Sequence, residues 1–456
     1  VPREPQVPQF FRTLRVKNVN QIGVLASVLS VIAQHNTSVG DIRTVQQSRT
    51  FMVRDIDLLA ESLDELDALI ADLDRMPETS VLELRDEVLT AHLGGKIRVV
   101  SQLPIDSFAE LGRVYTPGVG EVCRKIHENP ALAAHYTIIP NSAAIISDGS
   151  AVLGLGNLGA LGAVPVLEGK AALLAHLAGV NAFPIALRSQ DPGDIVSAAA
   201  AVSGSFGVIQ LEDIASPKCF EIEQRLQEQV DVAVFHDDQH GTASVVLAAL
   251  INACRMVEAD PAALLIGQIG LGAAGLAIAR AVMHYTGKPV LGADRASDAL
   301  DRLEASGGVR SDIEEIMEKC DVVAAAAGQP GLIRPEMVRP GQIVFALSNP
   351  RPEIDAAQAL EAGARIAEGG ASINNLLSYP GACRGLLDSG ARRAGRAVFR
   401  AASEAIVGVT PEGHLLPNPL DRTVHAAVAR AVARAALDLG LATRDPRDDP
   451  DYFAEE

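Results

Sequence analysis

An apolar run from Ala263 to Ile269 leads directly into Gly270-Leu271-Gly272-Ala273-Ala274-Gly275, and a helical pattern follows through Met283. A second apolar run, Pro289 to Ala293, then ends at Asp294. Few folds accept this order. Strand, tight glycine turn, helix and a second strand make a crossover unit of a parallel sheet. Gly270 suits the tight turn, Gly272 lets a ligand approach the backbone, and Gly275 lets the helix pack closely. The free N–H groups and dipole at the helix start favour an anion. Gly270, Gly272, Ala273, Ala274 and Gly275 are therefore expected to cradle the pyrophosphate of a dinucleotide. Asp294 would bond the ribose hydroxyls and repel a 2′-phosphate, which points to NAD. Arg295 beside it leaves NADP possible.

A second pattern concerns carboxylates. Val208 to Leu211 reads as a buried strand ending in Glu212-Asp213, and Val230 to Phe235 reads as another, ending in His236-Asp237-Asp238. Four acids at the C-terminal ends of two strands repel one another unless a cation or a shared proton intervenes. Oxygen ligands suit Mg²⁺ or Mn²⁺ better than zinc. Asp237 could be a ligand or an outer acceptor. His236 and His240 are expected to brace the loop rather than bind metal.

The chain's 456 residues exceed one ordinary core. Four sections are expected: a small module over 1–89, a substrate and metal domain over 90–256, a Rossmann-type domain over 257–390, and C-terminal helices and tail over 391–456. In the first section, strand candidates (Phe11–Val16, Ile42–Val45, Phe51–Leu58, Ser80–Leu84) alternate with helices over Gln21–Ala33 and from Ser62 onward. Ser62 with Glu65 reads as a capping box. That order is ferredoxin-like α+β, so the fold class is α/β with an α+β module in front. A helix from Asp421 to Leu439 would pack back through Val424, Val428 and Val432. The acidic tail after Arg444 is expected to fray.

A net charge of −18 argues against nucleic acid or an anionic membrane as partner. Five scattered cysteines form no C-x-x-C pair and fit a reducing compartment. No uninterrupted apolar run reaches a membrane span, and Val1 to Phe10 lacks a signal-peptide core. A cytoplasmic location is expected.

Further motifs occur together in one order. They are Arg113-Val114-Tyr115-Thr116-Pro117-Gly118-Val119, Ser147 to Asn157, Val166-Leu167-Glu168-Gly169-Lys170, Leu211 to Ile214, Phe235 to Asp238, Ser348-Asn349-Pro350 and Asn374-Asn375. Over roughly Leu103 to Leu441 the chain resembles the malic enzymes, and its first section resembles an ACT domain. The resemblance implies oxidative decarboxylation of malate to pyruvate with a nicotinamide cofactor and a divalent metal. It implies Tyr115 as general acid, Lys170 as general base, and Glu212, Asp213 and Asp238 as metal ligands. Asn349 and Asn375 would hold malate, and Asn349 also the nicotinamide side of the cofactor. A small effector at the turn Asn20 to Leu25 and a homodimer or larger assembly are implied too. The chain departs from the family in a short stretch, Gly369-Gly370-Ala371-Ser372, and at Ser378 and Cys383. A base role requires Lys170 to be neutral part of the time near pH 7, so its pKa is expected to be lowered. Two rivals stand beside this reading: a malolactic-type enzyme, and an effector sensor with a vestigial catalytic half.

Overall fold

The computed structural model describes residues 10–445, so the expectation for the acidic tail falls almost wholly outside the described residues. The chain divides into two compact units, Val1–Arg98 and Val99–Glu456.

In the first unit the strands are β1 (Phe10–Val19), β2 (Ser38–Gln47), β3 (Phe51–Ala60) and β4 (Thr79–Asp86). Helices Val24–Gln34 and Leu63–Asp74 connect β1 to β2 and β3 to β4. The sheet order is β2-β3-β1-β4, antiparallel throughout, which is the ferredoxin-like arrangement the element order predicts. Leu14 and Val16 of β1 alternate inward beneath Val28 and Ile32 of one helix and Leu66, Leu69 and Leu73 of the other. Ser62 is the N-cap of the second helix, but its hydroxyl accepts no capping bond. Asp64 and Glu65 instead place negative charge in the first turn, where the helix dipole favours it. The sheet carries a shared ion pair: Asp55 accepts from Arg15 at 2.7 Å and from Arg85 at 2.9 Å. Those guanidiniums, Arg15 above all, hold its carboxyl below the usual range.

The second unit holds two parallel sheets. The first comprises β5 (Ser142–Ser147), β6 (Asn181–Ala186), β7 (Val208–Leu211) and β8 (Ala233–His236), in the order β6-β5-β7-β8. β5, β7 and β8 are buried along their whole length, so they read as continuous apolar runs rather than alternating ones. The second comprises β9 (Ile266–Ile269), β10 (Leu291–Ala293), β11 (Val309–Arg310), β12 (Val322–Ala325), β13 (Ile343–Ala346) and β14 (Ile366–Gly369). Its order, β11-β10-β9-β12-β13-β14, is doubly wound and reverses direction between β9 and β12. β9 is shorter than the apolar run suggested, because Pro261–Ala263 form a 3-10 turn ahead of it.

After β8 the acidic stretch opens the 20-residue helix Asp237–Met256, so these carboxylates stand on a first helical turn rather than in a loop. This helix is buried from Ala243 to Cys254, and one apolar core runs from β5 through it to Val432. Helix Gly159–Ala178 is long and apolar enough to cross a membrane by length and composition. It carries Lys170, however, and buries Ala163, Leu167, Ala171, Leu174 and Leu177 in the core.

The C-terminal helix is Arg422–Asp438, with Val424, Val428 and Val432 buried as expected. It lies close against helix Tyr379–Ser389 because Gly381 and Gly385, one turn apart, present no side chain. A Cβ at Gly385 would strike the Ala429 carbonyl and sit 2.8 Å from Val432 Cβ. Gly385→Ala is expected to cost about 1–3 kcal/mol by overpacking, read as a lowered midpoint in urea unfolding. An unchanged midpoint would mean the two helices separate freely.

Candidate active site

β7 and β8 run parallel with Leu211 opposite His236, so the residues that follow each strand are neighbours. One carboxylate oxygen from each of Glu212, Asp213 and Asp238 lies within 4.8 Å of the others. Glu212 and Asp213 are buried. Asp213 adopts a left-handed backbone, φ 54°, and its N–H donates to Asp238 Oδ2 at 3.0 Å. Its own Oδ2 is buried without a hydrogen-bond partner among the described residues. Burial, followed by repulsion from Asp238 and Glu212, pushes the Asp213 carboxyl up to about 8. Burial raises Glu212 as well. Three crowded carboxylates, one with a bare oxygen, form an all-oxygen set that fits a hard divalent cation.

Lys170 stands beside this set. Its Nζ is 3.0 Å from Glu212 Oε1 and closer still to Asp237 Oδ2. Asp237 is thus the lysine's partner and lies outside the three-carboxylate group. The expected lowering of the lysine pKa is not found. Burial does lower it, but the charges of Asp237 and Glu212 outweigh burial and hold the ammonium well above its ordinary value. Burial alone would lower it, and the field of these acids, brought in from other strand and helix ends, reverses the sign. Asp237 itself is pushed up to about 6, by burial first.

Tyr379 went unnoticed in the sequence. Its ring centroid lies 4.4 Å from Lys170 Nζ, the side chain is buried, and its hydroxyl has no hydrogen-bond partner among the described residues. Nothing local marked it, because it opens an apolar helix and its neighbours come from distant chain segments. The ring face supplies a cation–π contact; the hydroxyl contributes no bond here. Tyr379→Phe is accordingly expected to keep kcat within about twofold and leave the melting temperature equal or higher, since an unpaired buried hydroxyl costs about 1 kcal/mol or more. A large loss of kcat in this variant would give the hydroxyl a chemical role.

The other expected residues fall as follows. Asn375 lies against the first turns of the helix after β8: a Cβ at Gly241 would meet Asp237 and come within 3.3 Å of Asn375 Cβ. The Asn349 backbone packs on Gly154, and its amide lies beside Gly370, where a side chain would not fit. Tyr115 follows helix Phe108–Val114, is 66% exposed, and makes no side-chain hydrogen bond or ion pair with the cluster among the described residues. His236 is buried, its Nε2 3.8 Å from Asp238. His240 pairs with Glu223 at 2.8 Å and stacks on Phe399. A further unforeseen pair, Asp148 with Lys218, braces the end of β5.

The glycine turn leaves β9 at the point where strand order reverses. Gly270 has φ 83°, and a Cβ at Gly275 would collide with the Gly270 carbonyl. The helix Ala273–Thr286 starts immediately after Gly272. Asp294 accepts from the Leu271 N–H at 2.7 Å and from the Ala296 N–H at 2.8 Å, so its carboxylate also fixes the shape of the turn.

A doubly wound sheet with this turn, beside a lysine set among clustered acids, is the architecture of a dinucleotide-dependent oxidoreductase. Comparison with known proteins narrows the class. Residues 95–193 match the malic enzyme N-terminal domain and residues 9–82 match the ACT domain. The chain is 48% identical to NAD-dependent malic enzyme 1 of Bacillus subtilis (strain 168), over 93% of this chain and 98% of that one. It is 36% identical to the NAD-dependent malic enzyme of Geobacillus stearothermophilus, over 95% and 96% of the two chains. The crystal structure of malic enzyme from Pyrococcus horikoshii superposes with a TM-score of 0.74 at 38% identity, covering 79% of this chain and 92% of that one. The chain belongs to the malic enzyme family. Its reaction is the family's, oxidation and decarboxylation of malate to pyruvate with a nicotinamide cofactor, and the malolactic and sensor readings are not favoured.

Proposed function

We propose that the chain oxidises and decarboxylates L-malate with NAD and Mg²⁺ or Mn²⁺ at the cluster around Lys170. The observation that carries this reading is the convergence of Glu212, Asp213 and Asp238 beside Lys170 Nζ. Glu212, Asp213 and Asp238 would hold the cation, which when bound would supply positive charge beside the substrate's oxygens and so weaken the hold of these acids on the charged form of Lys170.

Lys170 takes the proton of the C2 hydroxyl as hydride leaves C2 for the nicotinamide. Asp237 and the ring of Tyr379 hold its Nζ in place. The β-keto acid so formed loses CO₂ from C4, and Tyr115 returns a proton to C3, giving pyruvate. Asn375 and Asn349 orient malate, and Asn349 also meets the nicotinamide side. The glycine turn Gly270 to Gly275, with Ala273 and Ala274 at the helix start, holds the pyrophosphate. Asp294 holds the ribose and disfavours a 2′-phosphate. The Tyr115 role is supported by the resemblance of Arg113 to Val119 alone.

The N-terminal module would bind a small effector near Asn20 to Leu25, where Ile22 stands fully exposed. The protein would act as a cytoplasmic homodimer or larger assembly, its five cysteines free. The test is direct. Purified chain with L-malate and Mn²⁺ should reduce NAD faster than NADP, with one pyruvate per NADH and no reaction in chelator. No reduction of either cofactor would overturn the proposal, and lactate in its place would establish malolactic chemistry.

A further inference from the structure

A cavity lies apart from the acidic cluster. It has a volume of about 490 Å³ and is walled by three helices already described or adjoining them: Lys218–Gln229, Asp237–Met256 and Ala273–Thr286, closed by Arg396–Val409. On helix Asp237–Met256 its lining residues are Gln239, His240, Ala243, Ser244 and Leu247. They form one stripe at helical spacing, whereas Asp237, Asp238 and Gly241 point toward the cluster from another side. On helix Ala273–Thr286 the lining begins at Ala277, a full turn past the first residue of the pyrophosphate turn's helix.

The wall chemistry is lopsided. Arg280, Arg396 and Arg400 all line the cavity. Arg400 is paired with Glu404. Arg280 donates Nε to Ser306 Oγ at 2.9 Å, and among the described residues neither Arg280 nor Arg396 has a carboxylate partner. The carboxylate in the wall, Glu223, is already committed to His240 and to the His236 N–H. Burial, and then repulsion from Arg396 and Arg302, makes the charge on Arg280 harder to keep. Phe220, Phe399, Ala243 and Ala281 supply apolar lining, beside polar lining from Gln224 and Gln227. Two guanidiniums without a carboxylate partner, facing a cavity of mixed polar and apolar lining, leave an anion unsupplied, and the cavity exceeds what a bare phosphate fills.

We propose that this cavity is a binding site for an organic anion with a flat apolar body, its carboxylate or phosphate head on Arg280 and Arg396 and its body against Phe220 and Phe399. The site is separate from the malate and dinucleotide sites, and its walls join the helix behind the acidic cluster to the helix behind the glycine turn. An occupant would therefore tether the two sheets' helices to each other.

Isothermal titration of the full chain with 2-naphthoate, and separately with inorganic phosphate, tests this. We expect one naphthoate site whose affinity falls about tenfold or more in Arg280→Ala/Arg396→Ala, and markedly weaker binding of phosphate. Arg396 is exposed, so Arg396→Ala alone retains the fold and should still weaken naphthoate several-fold. Saturating NAD should leave naphthoate binding unchanged. No naphthoate binding, or binding that is indifferent to both arginine variants, would overturn the site. Displacement of naphthoate by NAD would reassign it to the dinucleotide cleft, and phosphate binding as tightly as naphthoate would overturn the ligand class.

Discussion

Replacing Lys170 with Ala is expected to lower malate oxidation by about a thousandfold, within the span general-base removal ordinarily costs. Nζ is the basic nitrogen placed at the carboxylate set, 3.0 Å from Glu212. Two effects must be separated. Removing the ammonium also leaves Asp237 and Glu212 buried without their cation, and breaking a buried pair costs about 3–5 kcal/mol. Melting curves will register that second effect. A specific chemical loss is recognised by rescue: ammonium or methylamine should restore part of the malate oxidation in Lys170→Ala, because a small amine can occupy the vacated space. Lys170→Met, closer in volume, should be equally inactive yet less open to rescue. Near-normal oxidation by Lys170→Ala would remove the lysine from the chemistry altogether.

What could be read from the sequence follows from how each residue is specified. The acids after β7 and β8 were legible because strand ends in a parallel sheet sit side by side, so two apolar runs and the residues behind them suffice. The glycine turn was legible because its spacing is imposed by backbone clashes, as at Gly275 against Gly270. The ferredoxin-like module was legible from alternation and element order, although the Ser62 hydroxyl did not cap. Tyr379 was not legible, since its position over Lys170 depends on helices Gly159–Ala178 and Tyr379–Ser389 meeting in space. The direction of the lysine pKa was missed for a related reason. It is a sum over Asp237, Glu212 and Asp238, and periodicity carries no information about charge sums. The unpaired Arg280 and Arg396 were invisible because they lie on separate helices far apart in sequence.

Asp213→Asn should give two results of opposite sign. With Mn²⁺ present, the variant should bind the ion at least about 100-fold more weakly, since even outer partners of a metal site cost 10–100-fold, and malate oxidation should fall with it. In chelator the variant should be the more stable protein. The Asp213 carboxyl titrates near 8 in the fold and about 3.9 when unfolded. Between those values the native state holds more protons than the unfolded one, so wild-type stability falls as pH rises from about 4 toward 8. Asparagine has no proton to lose and escapes this fall. The melting advantage of Asp213→Asn in chelator should therefore be small at pH 5 and grow to several degrees at pH 8. Adding Mn²⁺ should reverse the ranking, because the ion stabilises only the form that binds it. If the variant melts lower than wild type at pH 8 without metal, the three carboxylates do not repel as their spacing requires. If its Mn²⁺ affinity is unchanged, Asp213 is not a ligand, and the cation site must be built from Glu212 and Asp238 with other partners.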